Sequence, residues 1–105
     1  MNPIDLTFAA LSDPTRRLVV ERLSARGGAS ATELAGELPV TRQAIVKHLV
    51  ALGGAGLVTG ERSGRHKRYR LTPEPMAEAV NWMTEVGAEW DSRLAALRRV
   101  VGDDR

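Results

Sequence analysis

At 105 residues and 43% hydrophobic content, the chain is the size of one ordinary domain and too apolar to be a disordered segment. The absence of cysteine excludes disulfides and thiolate metal ligands and fits a cytoplasmic protein. A net charge of +2 is unevenly spread: residues 1–40 sum to −1, residues 41–72 to +6 and residues 73–105 to −3, so a polyanion suits the middle third.

The first residues, Met1-Asn2-Pro3-Ile4-Asp5, show no basic stretch followed by an apolar one, and no export signal is expected. No apolar run approaches the ~20 residues that cross a bilayer, so no membrane partner is expected. Residues 1–105 read as a single domain with terminal helices suited to dimerisation.

Ile4, Phe8 and Leu11 lie at helical spacing in a short first helix, Ile4–Leu11. Asp13-Pro14 then starts a second helix, because an Asp cap accepts free N–H groups and proline lacks the N–H that would be unpaired. Leu18, Val19 and Leu23 form its expected inner stripe, and Gly27-Gly28 ends it. Ser30-Ala31-Thr32-Glu33 is a capping box for a third helix that reaches about Leu38, before Pro39.

Thr41 caps a fourth helix from Arg42 to about Leu52. Ala44, Ile45, His48, Leu49 and Leu52 point inward on this reading; Arg42, Gln43, Val46, Lys47 and Val50 point outward. Leu57–Arg62 and Lys67–Leu71 read as two strands around the turn Ser63-Gly64-Arg65-His66, with Tyr69 and Leu71 on one face and Arg68 and Arg70 on the other. After Thr72-Pro73 a last helix runs to about Val101. The expected fold is mainly α with a small β-hairpin, a winged helix-turn-helix in the order α-α-α-α-β-β-α, dimeric through its terminal helices.

Two short helices joined by Pro39-Val40-Thr41 have helix-turn-helix spacing, and the second of them fits the major groove of double-stranded DNA. Arg42 suits guanine, Gln43 adenine, and Lys47 a phosphate or guanine. Thr41 suits a phosphate at the helix N-terminus, and Val46 a thymine methyl. His48 is a further candidate contact, although its inward position equally suits a partly buried histidine with a backbone partner. The hairpin carries Arg62, Arg65, His66, Lys67 and Arg68 around Gly64, a nearly all-positive wing able to follow phosphates or enter the minor groove.

Met76, Val80, Met83, Gly87, Trp90, Leu94, Leu97 and Val101 repeat at alternating spacings of four and three, an unbroken heptad seam. Trp82 and Val86 widen it. The expected dimer interface is Ile4 and Phe8 with Trp82, Met83, Val86, Trp90, Leu94 and Leu97. Two-fold pairing sets the recognition helices about 34 Å apart, one turn of DNA. Gly87 within the seam suggests close backbone approach or a small cavity.

Several stretches carry a family likeness: Phe8-Ala9-Ala10-Leu11-Ser12-Asp13-Pro14-Thr15-Arg16-Arg17, Glu33-Leu34-Ala35, Thr41-Arg42-Gln43-Ala44-Ile45-Val46-Lys47-His48-Leu49, Gly56-Leu57-Val58 and Tyr69-Arg70-Leu71 after Gly64-Arg65. Over almost its whole length the chain resembles the ArsR/SmtB group of bacterial winged-helix repressors. The resemblance implies a homodimer that represses transcription from a short palindromic operator, often that of its own operon. The group's metal sensors use cysteines on the third helix, or histidines and carboxylates on the last. Here the third helix reads Leu34-Ala35-Gly36-Glu37-Leu38, and the only histidines are His48 and His66. The likeness is therefore to the metal-independent branch, some of whose members accompany small lipid-binding-like proteins. No metal or cofactor is expected, and a small-molecule effector remains open.

Other classes fit less well. Gly53-Gly54-Ala55-Gly56 lacks the Lys-Ser/Thr of a phosphate loop, and neither histidine has an evident nucleophile beside it, so an enzyme is not expected. RNA binding would use more exposed aromatics than Tyr69. The alternative retained is a winged-helix protein-interaction or ligand-sensing module with little direct DNA specificity.

Overall fold

The computed structural model describes residues 2–102, so Met1 and residues 103–105 of the expected 1–105 domain lie outside the described residues. The elements are α1 (Pro3–Leu11), α2 (Pro14–Arg26), β1 (Ala29–Ser30), α3 (Ala31–Glu37), α4 (Arg42–Gly54), β2 (Val58–Ser63), β3 (His66–Leu71) and α5 (Pro73–Gly102). The expected mainly helical winged architecture is present. Its sheet has three strands rather than two, in the order β1-β3-β2, all antiparallel.

Local chemistry fixes the helix starts. Asp13 accepts the N–H groups of Thr15 and Arg16 at 2.8 and 3.0 Å, so the first turn of α2 has its donors met. The capping box of α3 is complete: Ser30 Oγ accepts from Glu33 N–H at 3.1 Å, and Glu33 accepts from Ser30 N–H at 3.0 Å. Thr41 Oγ1 accepts from Ala44 N–H at 3.1 Å and starts α4. Arg16 and Arg17 do what the sequence does not announce: their guanidinium groups donate to the carbonyls of Ala9, Ala10 and Leu11, closing the C-terminus of α1 from α2.

These elements enclose one core, built from Val19, Val20, Leu23, Leu34, Ile45, Leu49, Leu52, Leu57 and their smaller neighbours. One expectation fails here. Leu18 is 41% exposed, and Val20 takes the inward place beside Val19 and Leu23. Leu18, Val19 and Val20 are consecutive, so apolar character alone leaves the rotation of α2 uncertain by a residue; packing of Val19, Val20 and Leu23 on one side resolves it.

The hairpin pairs Val58 with Leu71 through to Ser63 with His66. Gly64, left-handed at φ 62, opens the two-residue turn with Arg65, a position where a side chain would be strained. Thr72 N–H donates to the Leu57 carbonyl at 2.9 Å and turns the chain into α5.

Helix α5 packs mainly on α1, whereas α4 packs on α2, α3 and β2. Its 30 residues span ~45 Å, and the protein measures 68 × 27 × 22 Å. The radius of gyration is 18.8 Å, against ~13 Å for a compact chain of this length. The helix therefore overhangs the domain, as its heptads suggested.

The Asp13 carboxyl is held below the usual carboxylate range, first by the Arg16 N–H bond, and Glu33 likewise, first by the Ser30 N–H bond. The folded chain thus binds these protons less tightly than the unfolded chain. The stabilisation is present above the unfolded carboxylate value and is lost as pH falls through the lower folded value. Melting temperature is expected to drop between pH 6 and pH 3. Asp13→Asn, which caps without titrating, should narrow that drop; an unchanged gap in melts followed by circular dichroism would contradict the cap's part in it.

Candidate nucleic-acid interface

The outer side of α4 begins at a well-made cap. Thr41 spends its lone pair on the Ala44 N–H and keeps its hydroxyl hydrogen. Arg42, Gln43 and Lys47 are exposed, as expected for groups reaching outward. Arg42 is not wholly free: its Nε donates to Thr32 Oγ1 at 3.2 Å, which ties the start of α4 to the first turn of α3. Sequence reasoning misses Thr32; only its place in the first turn of the preceding helix hints at it.

Two expectations for α4 are modified. Val46 is half-buried and packs against the core, so only part of its surface remains for a thymine methyl. His48 is also half-buried, on the border between the inner and outer sides of α4.

The wing cations divide between two sides of the hairpin, with His66 lining a cleft on each. Arg65, His66, Lys67 and Tyr69 share a cleft of about 70 Å³ with Arg42 and Val46 of α4 and with Ser30 and Thr32. Lys67 Nζ stands 5.6 Å from the Tyr69 ring centroid, within cation–π range, so the ring directs the ammonium. Arg62 is exposed near the tip. Arg68 turns the other way, toward the Gly28 carbonyl at 3.0 Å and Glu33 at 3.6 Å. Among the described residues Arg62, Arg65, His66 and Lys67 have no carboxylate within 4 Å, whereas Arg68 and Arg70 each face one. The least compensated positive charge thus gathers beside α4. Such an arrangement can follow a polyanion with the hairpin while α4 enters a groove.

The expected dimer residues gather on a second surface, formed by α1 and α5. Phe8 and Trp82 meet edge to face with centroids 5.7 Å apart. Ile4 and Val86 are half-buried, while Met83, Trp90, Leu94 and Leu97 are exposed, Trp90 to 56%. Ala79 is the one residue of α5 that is fully buried. A Cβ at Gly87 would meet nothing within 4 Å, so the close approach expected there is not made within the chain. Among the described residues no three His, Asp or Glu side chains cluster to hold a metal, and no helix is long and apolar enough to cross a membrane.

Comparison with known proteins bears on this arrangement. Residues 11–61 match the helix-turn-helix domain family. The chain is 42% identical over 87 residues to the uncharacterized HTH-type transcriptional regulator YuzN of Bacillus subtilis, covering 77% of this chain and 95% of that one. It is 37% identical over 103 residues to the HTH-type transcriptional regulator Rv2034 of Mycobacterium tuberculosis, covering 95% and 92%. An ArsR-like transcriptional regulator from Rhodococcus sp. RHA1 has the same fold, with a TM-score of 0.76 and 44% identity over 93% of this chain and 92% of that one.

Proposed function

The chain belongs to the ArsR family of helix-turn-helix transcriptional regulators, and on that premise we propose that it acts as a homodimeric repressor gripping a short inverted repeat, its own operator among its targets. It is a DNA-binding regulator of transcription. In the finer reading α4 lies in the major groove. Gln43 reads adenine, Arg42 and Lys47 reach guanine or phosphate, and Thr41 donates to a phosphate. The wing follows the adjoining phosphate backbone with Arg62, Arg65, His66 and Lys67.

The observation that carries this reading is the cleft in which Arg42 and Val46 of α4 stand beside Arg65, His66 and Lys67 of the wing. One surface thereby presents groove-reading and phosphate-following groups together. The second copy joins through Ile4, Phe8, Trp82, Met83, Val86, Trp90, Leu94 and Leu97; of these Phe8, Trp82, Met83, Trp90, Leu94 and Leu97 are exposed in a lone chain, much for such large apolar groups. The protein works without metal and without catalysis, in the cytoplasm. Its third helix offers no soft ligand.

The experiment is selection of a preferred duplex from a random pool, followed by titration of two variants. Gln43→Ala is expected to cost about 1–3 kcal/mol at one base pair of each half-site and to relax preference there. Arg65→Ala should weaken all sequences alike and reduce the salt slope by about 0.9 for every phosphate it leaves unneutralised. Identical behaviour of the two variants would refute the division of roles.

A further inference from the structure

We propose that Arg68 and Glu33 form a clamp that sets the angle of the wing against the helix-turn-helix, making Arg68 a positioning residue for DNA binding instead of a phosphate ligand. The inference rests on the DNA-binding reading above, and concerns how the cationic hairpin is aimed.

Backbone pairing between the hairpin and the helical body is confined to β1, where Ala29 pairs with Tyr69 and Ser30 with Arg68. These two residues are a short backbone joint, beside which Val58, Tyr69 and Leu71 at the base of the hairpin pack on the core. At that joint the Arg68 side chain reaches along β1 toward Gly28. Its Nη2 donates to the Gly28 carbonyl at 3.0 Å, and its Nη1 lies 3.6 Å from Glu33 Oε1. Gly28 makes this reach possible. A Cβ there would stand 3.3 Å from Arg68 Nε and 3.2 Å from the Tyr69 carbonyl, and the φ of 138° already disfavours any side chain.

Glu33 is the fixed end of the clamp. Its carboxylate accepts from Ser30 N–H and pairs with Arg26, which also pairs with Glu37; Glu37 in turn meets Arg22 at 3.7 Å. One chain of charges thus runs from β3 through α3 to α2. Glu33 is held ionised by these same neighbours, with its carboxyl lowered by the Ser30 bond, Arg26 and Arg68. The Arg68 guanidinium gives one of its N–H donors to the Gly28 carbonyl and stands 3.6 Å from the Glu33 carboxylate, so its charge is partly compensated before a phosphate approaches and it releases fewer counterions on binding.

The two roles predict opposite signs at Glu33. Simple electrostatics holds that removing a negative charge beside the wing strengthens DNA binding. The clamp holds that it weakens binding, because the wing is no longer aimed. Glu33→Gln is suited to the test because glutamine still completes a capping box.

Affinity for the selected duplex would be followed by fluorescence anisotropy over a range of NaCl concentrations, with circular dichroism melts confirming that each variant is folded at the working temperature. Wild type must bind with a clear negative salt slope; a chain that binds no duplex overturns the DNA-binding reading itself. Given that binding, Glu33→Gln and Arg68→Ala should each weaken it roughly three- to tenfold with the slope kept, and the double variant should be no worse than either single one. Arg68→Lys, which keeps the charge but loses the planar fork, should be as weak as Arg68→Ala. The clamp is overturned if Glu33→Gln binds as tightly as wild type or tighter. It is equally overturned if Arg68→Ala reduces the dimer's slope by about 1.8, at 0.9 for one phosphate in each half-site, while Arg68→Lys binds normally.

Discussion

Trp90→Glu is expected to convert the protein to a folded monomer and to weaken binding of the selected duplex by a factor of about 100 or more. Trp90 is 56% exposed on α5, outside the core, so a single chain loses little when the indole is removed. In a two-fold seam the same position places two carboxylates against apolar Met83, Leu94 and Leu97, where taking charge out of water is costly even with Arg93 of the same helix beside it. The affinity loss follows from linkage. Two tethered recognition helices bind with a high effective concentration for the second half-site, and a monomer forfeits it. Sedimentation velocity reads the oligomer and anisotropy the binding. A variant that stays dimeric at micromolar concentration, or a monomer that binds as well as wild type, would contradict this interface.

Ile45→Ala carries the largest expected effect on folding. Ile45 is fully buried on the inner side of α4, directly behind the face that bears Gln43 and Lys47. Truncation removes three carbons from a close-packed core and leaves a cavity, at a cost of about 2–5 kcal/mol. Small domains have about 5–15 kcal/mol in all, so the melting temperature should fall on the order of 10–30 °C. Because dimerisation adds stability by mass action, wild type and variant must be melted at the same chain concentration. A fall of less than about 4 °C would show that α4 is not anchored through Ile45.

Much of this fold is legible in the sequence because its boundaries are local chemistry. Asp13-Pro14, Ser30 with Glu33, and Thr41 each state a helix start, and each makes the expected backbone bonds. The heptad spacing of α5 announces its length and its overhang. What escapes sequence reasoning depends on partners distant along the chain. Two residues cannot display strand alternation, so β1 emerges only from its register with β3, about forty residues away. The inward turn of Val20 instead of Leu18, and the closure of α1 by Arg16 and Arg17, are also tertiary.

The interface divides in the same way. Charge and spacing locate α4 and the wing, yet composition treats all wing cations as equals. The fold separates Arg65 and Lys67, which share a cleft with Arg42, from Arg68, which is drawn back to Glu33. Gly28 is the residue that permits this, and in the sequence it reads as part of a helix stop. Val46 and His48 are harder to assign, because each lies on the border between the inner and outer sides of α4.

The central claim is that a two-fold pair of chains sets two α4 helices and two wings against one side of the double helix. Hydroxyl-radical footprinting on the selected duplex, with the number of bound chains measured in the same complex, tests it most directly. Two chains per duplex and two equivalent protected patches, centred about 10 base pairs apart on one face, are predicted. A single patch made by one chain, or protection spread without symmetry, would contradict it.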